Sequence, residues 1–254
     1  MTRQDALGHV VWHDLFTPDL EASKRFYAEL FGVDYVVEHA SDFTWHEGPG
    51  DFTLIHANGE AHGGMISTPA GTPSYWLAYV IVTDVDQAAK TAVAAGTSIV
   101  REPFDAPGVG RSCVLRDAHG ARICPFVAAH GYPPPKGLFV WDELRTPGLA
   151  TVAPIYCQVF GWETADAAEA LSRRRTVFHA ANGDAVAGAA RVNENNSQPI
   201  GWTPFLAKPD LVRAAEKAAS LGAKIAGDTI ELGDGRDGRL FVDPVGATFG
   251  VTSV

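Results

Sequence analysis

The chain has 254 residues, 46% of them hydrophobic, which is enough for one large core or two smaller ones. A formal charge of −10 argues against nucleic acid and anionic membrane surfaces as partners and favours neutral or cationic ligands. No apolar run approaches the length of a membrane span, and residues 1–7 carry no signal-peptide apolar region, so a cytoplasmic protein is expected. Cys113, Cys124 and Cys157 are an odd number without a Cys-x-x-Cys pair. They are expected as small reduced core residues.

The first element is a strand-like run from Gly8 to Phe16, followed by Thr17-Pro18-Asp19 and an amphipathic segment to Phe31. Thr17 can cap that helix, Pro18 suits its first turn, and Gly32 ends it. Three short strand-like runs follow, Tyr35 to His39, Phe52 to Ile55 and His62 to Ile66, separated by Asp42, Gly48-Pro49-Gly50 and Asn58-Gly59. A second unit of the same shape begins at Trp76. Its helix opens on Asp84-Val-Asp-Gln87, a capping-box pattern, and stops at Gly96. Strands at Ser98 to Val100, Ser112 to Leu115 and Ala121 to Val127 complete it, with Asp117-Ala-His-Gly120 as a turn.

Tyr132-Pro-Pro-Pro135 then forms a stiff extended spacer. Beyond it the pattern returns. Trp12 recurs as Trp141 and Pro18 as Pro147; Gly96 recurs as Gly222 and Asp117 as Asp243. The predicted organisation is one domain over 1–130, a linker over 131–136 and a second domain over 137–254. Each domain holds two strand-helix-three-strand units. Arg173-Arg174-Arg175 is the one basic run and reads as a solvated strand edge.

The unit order, the TPDLEASKRFYAELFG and TDVDQAAKTAVAAG helices, and the Asp-x-x-Gly turn before each domain's last strand resemble the vicinal oxygen chelate superfamily. That group contains glyoxalase I, extradiol dioxygenases and the fosfomycin- and bleomycin-resistance proteins. The two-domain glyoxalase-like group is the nearest in pattern, and the resemblance spans essentially the whole chain. It implies an α+β fold: two tandem domains, each of two βαβββ units forming curved mixed sheets around a cup. The pattern is specific for fold and poor for function, because members include enzymes and plain binders.

In metal-dependent members, His, Gln and Glu side chains at equivalent cup-facing positions hold a divalent ion. Those positions map here to Trp12, Leu77, Cys124 and the region of Gly64-Met65. In the second domain they map to Trp141, Thr203, Gly250 and the region of Gly188-Ala189. Neither set supplies converging imidazoles or carboxylates, so no metal and no other cofactor is expected. His46, His56 and His62 are the histidines that would come under suspicion if a metal were found. His13 follows Trp12 and should point away from the cup, toward the helices.

Strand parity places Trp12, Asp14 and Phe16 on one face, with Tyr79 and with Arg122, Cys124 and Phe126 on neighbouring strands. The second cup receives Trp141, Glu143, Thr203 and Phe205. Aromatic, mostly apolar concavities of this kind hold small molecules. Trp12, Phe16, Tyr79, Cys124, Phe126, Trp141, Thr203 and Phe205 are therefore the candidate ligand-binding residues. Asp14 and Glu143 are the candidate acid/base groups and the partners for an amine on an aromatic ligand. No Gly-x-Ser-x-Gly, Walker or dinucleotide motif is present.

Three readings of function follow. The first is a metal-independent protein that holds a hydrophobic aromatic molecule, in antibiotic resistance or as a biosynthetic accessory, working as a monomer or weak homodimer. The second is an enzyme: a metal-free isomerase, cyclase or hydroxylase-like activity on Asp14 or Glu143, or a metal-dependent lyase or dioxygenase with shifted ligands. The third is a module whose cups are filled by their own tryptophans.

Overall fold

A computed structural model describes residues 6–164, 175–193, 199–227 and 229–253. Two curved mixed sheets dominate it, one of eight strands and one of nine. In the first, β1 (Val10–Thr17), α1 (Leu20–Phe31), β2 (Asp34–Ala40), β3 (Gly50–Ala57) and β4 (Glu60–Ser67) make one unit. The second unit is β5 (Tyr75–Ile81), α2 (Val85–Ala94), β6 (Ser98–Ala106), β7 (Gly110–Arg116) and β8 (Arg122–Ala128). The strand order is β2-β3-β4-β1-β5-β8-β7-β6. The first strands of the two units meet antiparallel at the centre, and each unit's last strand lies parallel to its first.

Residues 131–136 contain neither strand nor helix. The second sheet then repeats the first with β9 (Phe139–Thr146), α3 (Leu149–Phe160), β10 (Glu163–Thr164), β11 (Arg175–His179), β12 (Ala185–Arg191) and β13 (Gly201–Ala207). It ends with α4 (Leu211–Ser220), β14 (Lys224–Ile225), β15 (Ile230–Glu231), β16 (Asp237–Val242) and β17 (Thr248–Thr252). The registers repeat residue for residue. Asp14 faces Gly64 across β1 and β4, and Glu143 faces Gly188 across β9 and β12. Trp12 faces Tyr79, and Trp141 faces Phe205. Arg175 lies in β11; Arg173 and Arg174, the rest of the basic run, lie outside the described residues.

The helix starts follow the sequence with one change. Asp19, not Thr17, caps α1 through a bond from the Ala22 amide to its side chain. Thr17 instead bonds the Ser23 hydroxyl at 2.8 Å, because Pro18 shifts the first helical residue to Leu20. Asp84 caps α2 by accepting the Gln87 amide, while the Gln87 side chain turns forward to Thr91. Gly32 and Gly161 end α1 and α3 in the left-handed region, at φ 72° and 66°, where a Cβ is costly.

The faces opposite the cups meet each other. Leu15, Phe26, Tyr27 and Trp76 share one core cluster with Leu206, Ala214, Phe249 and Val251, so α1 is buried partly by the second sheet. A second shared cluster joins Val85, Ala89, Leu115 and Ile123 to Val152, Tyr156, Phe178 and Trp202. Tyr27 donates to Asp243 at 3.0 Å, and its repeat partner Tyr156 donates to Asp117 at 2.9 Å. The Asp-x-x-Gly turns thus bind the opposite half as well as closing their own hairpins. His13 points away from the cup but reaches no helix. Its Nε2 lies 2.9 Å from Asp142 and its ring stacks on Phe139 at 4.2 Å. Positions 13 and 142 are repeat equivalents, so each comes to the pseudo-twofold axis and meets the other.

Candidate functional site

The first cup is built on β1, β5 and β8. Its side chains form a separate core cluster containing Phe16, Leu77, Tyr79, Cys124 and Phe126, with Trp12 packed against it. Asp14 is 3% exposed within this apolar lining. Its two oxygens are occupied: the Trp12 indole donates to one at 2.9 Å and the Tyr79 hydroxyl to the other at 2.6 Å. Burial pushes the Asp14 carboxyl up to about 6, although both hydrogen bonds pull it down. The Tyr79 hydroxyl and Cys124 thiol are also pushed well above their ordinary values by burial. Asp14 fits there because its neighbour is glycine. A Cβ on Gly64 would stand 2.5 Å from Asp14 Oδ1 and would overlap the Phe52 ring.

The second cup repeats the motif with Glu143 in place of Asp14. Trp141 donates to Glu143 at 3.0 Å, and Arg175 binds the other oxygen. Burial raises the Glu143 pKa, with Arg175 and the Trp141 bond opposing the rise. A Cβ on Gly188 would overlap Glu143 Oε2. Trp141, Phe205, Leu232 and Leu240 pack together as a buried cluster. Phe205 occupies the space that Gly238 and Gly250 leave. Thr203 is buried beside them, opposite Glu143.

The first cup remains open above its floor. A cavity of about 630 Å³ lies between the loop over residues 42–47 and the strands β5 to β7. Phe16 and Tyr75 stack at 4.9 Å with parallel rings, and Trp45 meets Phe16 edge-on at 4.8 Å. These three rings and Arg101 form the wall; exposed Asp42 and Glu47 stand at the rim. Of the candidate residues, Phe16 lines the cavity. Trp12, Asp14, Tyr79, Cys124 and Phe126 are brought together in the cluster that supports it, and Trp141, Glu143, Thr203 and Phe205 are brought together in the other cup. Trp45, Tyr75 and Arg101 were not legible as site residues. Trp45 sits in a loop whose path no periodicity dictates, and Arg101 is aimed by register shifts in β6 on either side of it.

The metal-ligand positions that the resemblance implies carry Trp12, Leu77, Cys124 and the region of Gly64-Met65, with Trp141, Thr203, Gly250 and the region of Gly188-Ala189 in the repeat. These residues do not fit a divalent ion. The Cys124 thiol is held protonated by burial, and the carboxylates one step away are tied to indoles. Among the described residues no three His, Cys, Asp or Glu side chains converge as a ligand set. His46 lies at the cavity mouth, while His62 bonds the Ala57 carbonyl on the β3–β4 hairpin.

Paired βαβββ units, a cup in each half and a repeated cup-facing strand define a two-domain glyoxalase-like protein. Residues 6–124 match the model of the Glyoxalase/Bleomycin resistance protein/Dioxygenase superfamily. It is 28% identical over 248 residues to the Mycobacterium tuberculosis protein named "Putative glyoxylase CFP32", covering 94% of this chain and 92% of the relative. It is also 28% identical to the anthracycline biosynthesis protein DnrV of Streptomyces peucetius, covering 98% of this chain and 94% of that one. Among solved structures, the 2,2',3-trihydroxybiphenyl 1,2-dioxygenase of Sphingomonas wittichii has the same fold, with a TM-score of 0.63 at 14% identity over 98% and 91% of the two chains. The Mn(II)-bound glyoxalase of Novosphingobium aromaticivorans matches with a TM-score of 0.59 at 16% identity, over 98% and 82%. In the described residues no helix is long and apolar enough to cross a membrane.

Proposed function

We propose that the protein is a metal-independent binder of a planar, hydrophobic aromatic small molecule, held in the cavity of the first cup. The carrying observation is that cavity, about 630 Å³ with Phe16, Trp45 and Tyr75 on its wall. The volume suits a polycyclic ligand, and three rings, with Phe16 in contact with both others, offer stacking at low entropic cost. Metal independence is supported by the donor set at the superfamily's ligand positions, which supplies indoles, glycines and a protonated thiol. The likeness to a protein named for anthracycline biosynthesis supports an accessory role in making, or resisting, a compound of this class. The second cup is then a structural copy. Binding of naphthalene- and anthracene-sized compounds, followed by tryptophan fluorescence, tests the reading. Phe16→Ala and Trp45→Ala should each weaken the best binder by about three- to tenfold, the worth of one aromatic contact. Absence of any binding tighter than about a millimolar overturns it.

A metal-free enzyme is the second reading, favoured by one feature. Asp14, with its pKa pushed to about 6, has the proton affinity of a general acid or base near neutrality. Incubation of a bound compound with the protein, followed by mass spectrometry, separates the two: turnover that Asp14→Asn abolishes favours the enzyme.

A further inference from the structure

Arg101 is the feature of the first-cup cavity that neither the fold nor the aromatic wall requires. Its guanidinium carbon lies 3.7 Å from the Phe104 ring centroid and 4.7 Å from that of Trp45, so it is flanked by both. One terminal nitrogen donates to the Thr44 carbonyl in the loop over the cavity. The other, Nη1, is buried and has no hydrogen-bond partner among the described residues. Among the described residues no carboxylate pairs with Arg101; the nearby groups that influence it are Tyr79 and Cys124, both neutral at ordinary pH. Burial lowers its pKa, but a guanidinium keeps its charge throughout the physiological range. A half-buried guanidinium on a cavity wall without a carboxylate partner is available to pair with an acceptor oxygen on a ligand.

The repeat shows that this arginine is not part of the scaffold. Ser98 pairs with Arg116 on β6 and β7, and Lys224 pairs with Val242 on β14 and β16, at the same offset of 126 residues. At that offset Arg101 becomes Gly227. Two register shifts in β6 bracket Arg101, between Ile99 and Arg101 and between Arg101 and Phe104. Bulges of this kind re-aim a side chain. The carboxylate at the cup floor offers no competing site, since both Asp14 oxygens already accept hydrogen bonds. Asp42 and Glu47 at the rim are exposed and screened by solvent.

We propose that Arg101 sets the specificity of this pocket by binding an acceptor oxygen on the aromatic ligand, a carboxylate, phenolate or ring carbonyl, through its guanidinium, which lines the cavity. The proposal rests on the aromatic-binding reading above and adds the ligand's polar handle. Guanidinium and aromatic walls together then recognise a flat molecule by its faces and by one oxygen at its edge.

The test uses the full chain and three probes of one shape: 2-naphthoate, 2-naphthamide and 2-naphthylmethylamine, titrated by calorimetry into wild type, Arg101→Met and Phe16→Ala/Trp45→Ala. Wild type should bind naphthoate about ten- to a hundredfold tighter than the amine, the range supplied by one charge-assisted hydrogen bond. The amide should fall between them. Arg101→Met should erase that preference while the amine's affinity stays within about threefold. If the three probes bind wild type equally, if the amine binds best, or if Arg101→Met weakens all three by one factor, Arg101 is only a clamp for the 42–47 loop and the proposal falls while the pocket stands. If no probe binds, or the double variant binds them as well as wild type, the pocket reading itself fails and takes the proposal with it.

Discussion

Asp14 shows how a single position carries both stability and chemistry. Its folded pKa of about 6 lies above the ordinary 3.8 because burial penalises the carboxylate. Between these values the folded state holds a proton that the unfolded chain has released, so stability falls as pH rises through the window from about 4 to 6. The penalty is complete above it, on the order of 3 kcal/mol. An asparagine at this position cannot ionise and can still accept from Trp12 while donating to Tyr79. Urea unfolding of Asp14→Asn and wild type at pH 4 and pH 7 should therefore show the variant gaining about 3 kcal/mol relative to wild type at the higher pH. No change in the difference between the two proteins would mean that water reaches the carboxylate.

Between elements, the pairing of a carboxylate strand with a glycine strand is the device both halves share. Asp14 on β1 and Glu143 on β9 occupy space that exists only because Gly64 on β4 and Gly188 on β12 lack a Cβ. Gly64→Ala forces Phe52 and Asp14 apart, and Gly188→Ala drives a methyl into a fully buried Glu143. Each should cost about 1–3 kcal/mol, the usual range for overpacking, with Gly188→Ala the worse because Arg175 holds Glu143 in place. Chemical denaturation checks the order. Alanine at Gly32 or Gly161 meets no neighbour but sits at positive φ. Its smaller cost of about 1 kcal/mol is of a different kind.

For the whole molecule, the two sheets share their cores, so the chain should unfold in one cooperative transition rather than two. His13 and Asp142 are buried at the pseudo-twofold axis, each about 5% exposed at the side chain. His13→Ala would strand a carboxylate in the interface and should cost about 3–5 kcal/mol, whereas replacing both residues with leucine should cost much less. Calorimetry distinguishes the two variants, and a second transition in wild type would contradict the shared core. Tyr27→Phe and Tyr156→Phe each remove one interdomain hydrogen bond to a buried Asp, at about 1–2 kcal/mol apiece.

The duplication, the βαβββ order, the helix stops at Gly32 and Gly161, and the cup-facing parity of Trp12, Asp14 and Phe16 were all legible in the sequence. These are local or periodic properties: turn chemistry, capping and the alternation of a strand. The absence of imidazoles at the superfamily's ligand positions could be read in the same way. Tertiary structure alone decided that His13 meets Asp142 rather than a helix, because two domains chose which faces to bury. It also decided that Phe205 packs against Gly238 and Gly250 in one cup while the 42–47 loop roofs the other, leaving Trp45 and Arg101 on a cavity wall. Those outcomes depend on contacts between residues far apart in the chain, such as Arg101 and Thr44, which no period or spacing encodes.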